Sequence, residues 1–223
     1  MRMIQLASDL LRFIVEGGYR PGDKLPTLGE ISEQLGVSVA KTREQLEVAR
    51  TFGLVEVKPG RGMTVQPYTF APAARLSALY AIGHDPALFD AFSEVRNGLE
   101  VFFWEQAVEA LDADDFAGLR ELIADARAQL NRTPIVVPSE THRQFHLGIF
   151  AKLNNPFVTG FLETYWDAYD AFGLNLYAEL SYHREVWDYH ERMVDALEAG
   201  DFERGKELLV EHMALLRHRE ATT

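Results

Sequence analysis

Four of the seven histidines in this 223-residue chain stand at spacings that would let them share one metal ion. His142 and His146 are four residues apart in a helical pattern, so both imidazoles project from the same helix face. His190 and His212 fall on the last two predicted helices, at similar distances from a hinge at Gly200. We therefore predict a site for a divalent transition metal, Zn²⁺ or Ni²⁺, built from four imidazole nitrogens. The alternative is that a histidine pair at this spacing is a coincidence or a surface feature.

The composition restricts the chemistry and divides the chain in two. There are no cysteines, which excludes disulfides and thiolate metal sites. Residues 1–70 hold nine Lys or Arg against eight Asp or Glu, whereas residues 71–223 hold 13 against 26. An acidic body would be repelled by nucleic acid, and the near-neutral head would make a few specific contacts.

The sequence has neither a membrane-length apolar run nor the core of a signal peptide, so we expect a cytoplasmic protein.

The head alternates helical patterns with turn residues. Apolar residues recur at helical spacing from Ile4 to Glu16. A capping box at Thr27 begins a short second helix that stops at Gly36, and Ser38 caps a third helix that runs to about Phe52. Two alternating strands joined by a Pro-Gly turn follow, at residues 54–57 and 63–66.

This order of elements predicts a winged helix-turn-helix, whose last helix enters the major groove of double-stranded DNA. One short helix reads too few bases by itself, so we expect a homodimer on a palindromic operator. The alternative is that the winged head is a protein-interaction module. The predicted DNA contacts lie at helix starts and at the wing tip: Thr27, Ser38, Val39, Lys41, Thr42, Arg43, Gly60, Arg61 and Gly62.

The head resembles the GntR-type bacterial transcription regulators through the segment PGDKLPTLGEISEQLGVSVAKTREQLEVARTFGLVEVKPGRGMTV. The family commonly places a DNA-contacting arginine at the positions of Gly29 and Val39, whereas Arg43 keeps a third. The resemblance therefore implies DNA binding with an altered operator, or a take-over of base or phosphate contacts by Lys41 and Arg61.

The rest of the chain shows helical periodicity and no convincing strand. We predict a mostly α protein with a winged helix-turn-helix over 1–68, a linker over 69–74 and an antiparallel bundle of six or seven helices over 75–223. The predicted helices begin with a short one near 76–82 and continue over 85–111, 114–130 and 138–154, from 155 onward, and over 181–199 and 201–219.

This second part resembles the FCD ligand-binding domain of the FadR subgroup. The similarity rests on the segment Phe92-Ser93-Glu94-Val95-Arg96 with Glu100, on Phe145-His146, on Asn155-Pro156, and on the positions of His190 and His212. Metal-binding members use one aspartate and three histidines. In this sequence His142 stands at the aspartate position, which keeps a ligand and removes a negative charge.

The resemblance also places Arg96 on the helix that the family uses beside its metal. An arginine there suits bidentate recognition of a carboxylate. The alternative is a salt bridge of Arg96 with Glu94 or Glu100. We therefore expect a transcriptional repressor or activator controlled by a small organic acid bound at the metal.

Two other functions are compatible with the same residues. In the first, the metal ion itself is the signal and the protein is a metal sensor. In the second, the histidine site belongs to a helical metalloenzyme, although four protein ligands would close a tetrahedral site and the sequence places no carboxylate as a base nearby.

Overall fold

The structure is a computed structural model that describes residues 6–172 and 179–220, with side chains described as far as residue 215. The chain divides into two compact units, Met1–Leu76 and Ser77–Thr223. Among the described residues, no helix is both long and apolar enough to cross a membrane.

The first unit is a winged helix-turn-helix, as predicted. β2 and β3 form the antiparallel wing, with Val57 opposite Met63. A further strand, β1, pairs with the other edge of β3. The sequence did not predict β1, because two residues are too few to give an alternating pattern. The elements of this unit are α1 (Asp9–Glu16), β1 (Lys24–Leu25), α2 (Leu28–Leu35), α3 (Val39–Thr51), β2 (Val55–Lys58) and β3 (Gly62–Val65).

Hydroxyl side chains begin all three helices of the head: Ser8, Thr27 and Ser38. The reciprocal capping box predicted at Thr27 is formed. Gly36 ends α2 with φ of 66°, a left-handed conformation that glycine adopts at little cost, and so permits the tight turn into α3. The predicted start of the first helix at Ile4 lies outside the described residues, and α1 begins after its Ser8 cap.

In the described parts of the chain seven helices follow the wing, the larger of the two predicted numbers. α4 starts within the predicted 69–74 linker, so residues 71–74 are helical. The helices are α4 (Ala71–His84), α5 (Leu88–Val108), α6 (Ala113–Leu130), α7 (Ser139–Ile149), α8 (Pro156–Ala171), α9 (Leu180–Glu198) and α10 (Phe202–Glu220).

Three predicted helix boundaries are corrected by cap and turn chemistry. α5 begins at Leu88, because residues 85–87 form a turn. α6 begins at Ala113 and not at residue 114, because the carboxylate of Asp112 caps it by accepting hydrogen bonds from the amides of Asp114 and Asp115. α7 ends at Ile149 and not at residue 154, because the chain must become extended at Asn155, which caps α8 ahead of a proline at its first position.

The core of the second unit joins apolar faces of α5 to α10 around large side chains such as Trp104, Phe145 and Trp187. α9 and α10 pack as a hairpin about Gly200, whose φ is 74°. On α10, Gly205 lets the helix approach Trp104 closely, since a Cβ there would lie 2.9 Å from the indole. This hairpin brings His190 of α9 close to His212 of α10.

Candidate functional site

Four of the predicted DNA contacts belong to α3, and all of them except Thr42 are exposed. Val39 and Arg43 are exposed near the capped start of the helix. Thr42, predicted as a DNA contact, is fully buried, and its hydroxyl donates to the Ser38 carbonyl at 3.2 Å. The position lies on the inner face of α3 beside Leu46, so Thr42 packs the head and presents no surface to DNA.

The remaining predicted contacts of the head differ in how freely they can reach a ligand. Lys41 pairs with Asp9 of α1, Nζ to Oδ2 at 2.7 Å, and this contact lowers the pKa of the Asp9 carboxyl. Arg43 and Arg61 are exposed and have no ion-pair partner among the described residues. At the wing tip, Gly60 and Gly62 have positive φ. Thr27 and Ser38 use their side-chain oxygens as helix caps.

The predicted histidines come together in the core of the helical unit. His142 and His146 project from one face of α7, His190 from α9 and His212 from α10. One ligand nitrogen from each lies within 4.8 Å of the other three. All four side chains are buried, and His146 and His190 have no exposed surface.

Burial keeps this cluster neutral. The pKa of each of the four imidazoles lies well below the ordinary value, first because desolvation penalises the charged form. For His142 and His190, neighbouring histidines lower the pKa further, whereas for His146 the Arg96 guanidinium does so. A neutral imidazole is the form that binds a metal.

Several nitrogens of the cluster have no hydrogen-bond partner in the part of the chain that is described: Nε2 of His142, Nε2 of His146, both ring nitrogens of His190 and Nδ1 of His212. Buried polar atoms normally have partners, so an unpaired group of this size calls for a ligand. Four neutral nitrogen donors from three helices fit a borderline divalent ion such as Zn²⁺ or Ni²⁺. In a tetrahedral zinc site with bonds of about 2.0–2.1 Å, neighbouring ligand atoms lie roughly 3.4 Å apart, so the rings would need only small movements.

Arg96 lies beside the cluster and is already engaged. Its Nε donates to Oε1 of Glu100 at 2.8 Å, and its Nη2 lies 3.0 Å from Nδ1 of His146. Both Arg96 and Glu100 are buried, and burial raises the pKa of the Glu100 carboxyl against the opposing effect of Arg96. The salt bridge with Glu100 that the sequence left as an alternative is therefore present, whereas Glu94 makes no such contact.

Aromatic rings pack around Arg96 and the histidine cluster. The Arg96 guanidinium lies over the rings of Tyr165 and Trp166, at 5.1 Å and 5.4 Å from their centroids. The Trp166 ring also lies 4.7 Å from that of His142, and its buried Nε1 has no acceptor among the described residues. His142, Val186 and Trp187 are among the residues that line a narrow cleft with a volume of about 10 Å³, roughly the space of one water.

Two family models match most of the chain. Residues 91–215 match the FCD domain, and residues 4–65 match the bacterial regulatory proteins of the gntR family. The chain belongs to the GntR family, in the FCD subgroup. It is thus a DNA-binding transcriptional regulator, as predicted, and not an enzyme.

Individual relatives agree with this assignment. This GntR-family regulator is 26% identical to the HTH-type transcriptional regulator YcbG of Bacillus subtilis over 225 residues, covering 96% of this chain and 88% of the relative. It is 28% identical to the galactonate operon transcriptional repressor of Escherichia coli over 146 residues, 64% of this chain and 63% of the relative. The solved Streptococcus agalactiae GntR structure superposes with a TM-score of 0.68 at 19% identity, covering 94% of this chain and 96% of that one, which shows a shared fold.

Some site residues of this GntR-family regulator were not found from its sequence. Glu100 was named as part of the FCD resemblance and as a possible salt-bridge partner, but not as a site residue, although its spacing of four from Arg96 was visible. Tyr165 and Trp166 form part of the run Tyr-Trp-Asp-Ala-Tyr on α8, whose aromatic content gave the available signal. His183, which is not among the four predicted ligands, is buried beside His142.

Proposed function

We propose that this GntR-family regulator binds a palindromic operator as a homodimer and is controlled by a small carboxylate. In this proposal the carboxylate binds at a divalent metal held by His142, His146, His190 and His212. The observation that carries the proposal is the buried cluster of four neutral imidazoles with a buried cation, Arg96, next to it. A metal would satisfy the nitrogens, and the cation would supply charge for an anion.

On the DNA side, Arg43 and Arg61 are the proposed arginine contacts and Val39 the proposed apolar one. Arg43 suits a guanine edge, and Val39 suits contact with a thymine methyl group in the major groove. Lys41 is a weaker candidate, because it would have to leave Asp9 to reach a phosphate. The caps Thr27 and Ser38, with the Gly60–Gly62 turn, would present backbone amides.

A sugar acid is the first effector to test. The name of one relative, the galactonate operon repressor, links that protein to a carboxylate, and a carboxylate fits a buried arginine beside a metal. Zinc-loaded protein would be titrated by calorimetry with galactonate and other small organic acids. We expect at least one acid to bind, and binding to be lost in the double variant Arg96→Met/Glu100→Met, which removes the buried pair together and leaves no unpaired charge. Arg204→Ala is the control, since this half-buried arginine of α10 pairs with Glu207 and belongs to no part of the proposed site.

A second candidate function is metal sensing, in which the ion alone is the signal. It is favoured by the count of four protein nitrogens, which would complete a tetrahedral site, and by a cleft with room for about one water.

One set of binding assays separates these functions. The metal content of the purified protein is measured by mass spectrometry, and an operator is selected from random DNA. Operator affinity is then measured with chelator, with Zn²⁺ or Ni²⁺, and with metal plus each acid. Under the proposal, an acid changes operator affinity only when the metal is present. A response to metal with no response to any acid would make the protein a metal sensor, and absence of metal binding would contradict both functions.

A further inference from the structure

Beside the histidine cluster, the buried carboxylate of Glu100 has a hydrogen-bond partner for only one of its two oxygens. Oε1 of Glu100 accepts a hydrogen bond from Arg96, but Oε2 has no hydrogen-bond partner in the described parts of the chain. Nδ1 of His146 lies 3.6 Å from this Oε2 atom, which is longer than a hydrogen bond. Glu100 and His146 have no exposed surface, so water does not compensate for the missing partner.

The Nδ1 atom of His146 faces both the Arg96 guanidinium and the Glu100 carboxylate. A neutral imidazole carries one N–H and one lone pair. The Arg96 guanidinium can only donate, so at 3.0 Å the Nδ1 atom of His146 must be the acceptor. The ring proton then sits on Nε2, the nitrogen that is left for a metal. In this tautomer His146 cannot act as a ligand.

The ligand form of His146 needs the proton on Nδ1. An N–H there would face the N–H of Arg96, and two donors cannot share a hydrogen bond. Of the two neighbours, only Glu100 offers a lone pair, and its free Oε2 would need to approach by less than 1 Å to reach an ordinary hydrogen-bond distance of about 2.8–3.0 Å. A carboxylate that fixes the tautomer of a ligand histidine is a recurring arrangement beside metals.

We propose that Glu100 is a positioning residue that selects the metal-binding tautomer of His146, and that this exchange frees the Nη2 group of Arg96 for an anion. The proton moves from Nε2 to Nδ1, so the ring stays neutral and no net proton is gained or lost. Metal and carboxylate binding are then coupled through one side chain, and each ligand raises the affinity of the other by the same factor. This inference rests on the proposed metal site.

The first test measures Zn²⁺ affinity of the full-length protein by competition with a chromophoric chelator. In Glu100→Gln, the amide oxygen can accept from Arg96, which turns the amide N–H toward His146 and holds Nδ1 as an acceptor. We expect the affinity for Zn²⁺ to fall by about 10- to 100-fold. Glu94→Gln removes the same charge from an exposed position on the same helix and should change the affinity by less than about twofold. Equal affinities of Glu100→Gln and wild type would overturn the inference.

A second measurement uses wild-type protein and does not depend on folding of the variant. ¹⁵N-labelled histidine spectra, assigned with His146→Gln, report which ring nitrogen carries the proton. We expect Nε2–H in metal-free protein and Nδ1–H after addition of Zn²⁺. A proton on Nδ1 already in the metal-free state would contradict the exchange.

A third measurement tests the coupling to Arg96 with acetate as the smallest carboxylate probe. We expect acetate to bind zinc-loaded protein at least tenfold more tightly than chelator-treated protein. Equal acetate affinities would refute the release of Arg96 while leaving the metal site intact. Failure of wild-type protein to bind Zn²⁺ would instead remove the proposed function itself.

Discussion

At the scale of single residues, three consecutive polar residues of the head have different structural roles. Lys41 pairs with Asp9 of α1, whereas the next residue, Thr42, is buried in the core. Arg43, which follows, is exposed to solvent. The 100° rotation per residue of an α-helix separates these roles. We therefore expect Arg43 to make most of the base contacts of α3.

We expect Arg43→Ala to weaken binding to the selected operator by about 5- to 150-fold, because one bidentate arginine–guanine contact is worth about 1–3 kcal/mol. Fluorescence anisotropy with labelled operator measures the effect. Arg50→Ala is the matched control, since this arginine of the same helix is exposed and pairs with Glu47. Loss of affinity in Arg50→Ala but not in Arg43→Ala would mean that a different end of α3 contacts DNA.

Two buried tryptophans provide a second residue-scale test. Nε1 of Trp104 donates to the Phe202 carbonyl at 2.8 Å, whereas Nε1 of Trp166 has no acceptor in the described part of the molecule. The substitution Trp→Phe removes the same volume at each site. We expect Trp104→Phe to lower the free energy of unfolding by about 0.5–1.5 kcal/mol more than Trp166→Phe, because only the first substitution removes a hydrogen bond. Urea denaturation gives both values, and equal losses would show that the Trp166 N–H is paired.

At the scale of elements, the histidine cluster depends on how closely α10 packs against α5 and α9. His190 and His212 have ring centroids 4.7 Å apart, a distance that the α9–α10 hairpin sets. The absence of a side chain at Gly205 lets α10 pack closely against Trp104 of α5 and Leu197 of α9.

We expect Gly205→Ala to destabilise the protein by about 1–3 kcal/mol, because the added methyl group would meet Trp104 at 2.9 Å and Leu197 at 3.3 Å. Its control is Gly118→Ala on α6, where a Cβ meets nothing within 4 Å and where alanine should stabilise the helix by about 0.5–1 kcal/mol. Thermal unfolding followed by circular dichroism compares the two. A stabilising Gly205→Ala would show that α10 does not need this close approach.

At the scale of the whole molecule, the proposed homodimer needs a surface on each copy. Leu88, Val95 and Phe102 recur every seven residues along α5, and their side chains are 43%, 51% and 79% exposed. A spacing of seven lines apolar side chains along one helix face, as in helix–helix interfaces. A twofold interface brings the same patch of both copies together, so this stripe can pair with itself.

We expect wild-type protein to sediment as a dimer at micromolar concentration and Phe102→Glu to weaken the dimer at least tenfold, because the interface would then bury a charge. Ile135→Glu, at an exposed apolar position in the segment between α6 and α7, is the control and should leave the dimer intact. Equal sedimentation of Phe102→Glu and wild type would place the interface elsewhere.

The sequence by itself determined the winged head, the helical body, the family and the set of four histidines. These features depend on local chemistry: caps such as Thr27, left-handed glycines such as Gly36, and helical spacing within α7 can be read over a few residues. The two-residue strand β1 could not be read in this way, since pairing with β3 creates it.

Only the tertiary structure decided what each site residue contacts. Burial of Thr42, the pairing of Lys41 with Asp9, and the choice of Glu100 over Glu94 as the partner of Arg96 depend on packing between elements that are distant in sequence. The same holds for the contact between Arg96 and His146, which are 50 residues apart. Sequence patterns fix which face of a helix is apolar, whereas hydrogen bonding and desolvation at a buried site depend on which faces meet.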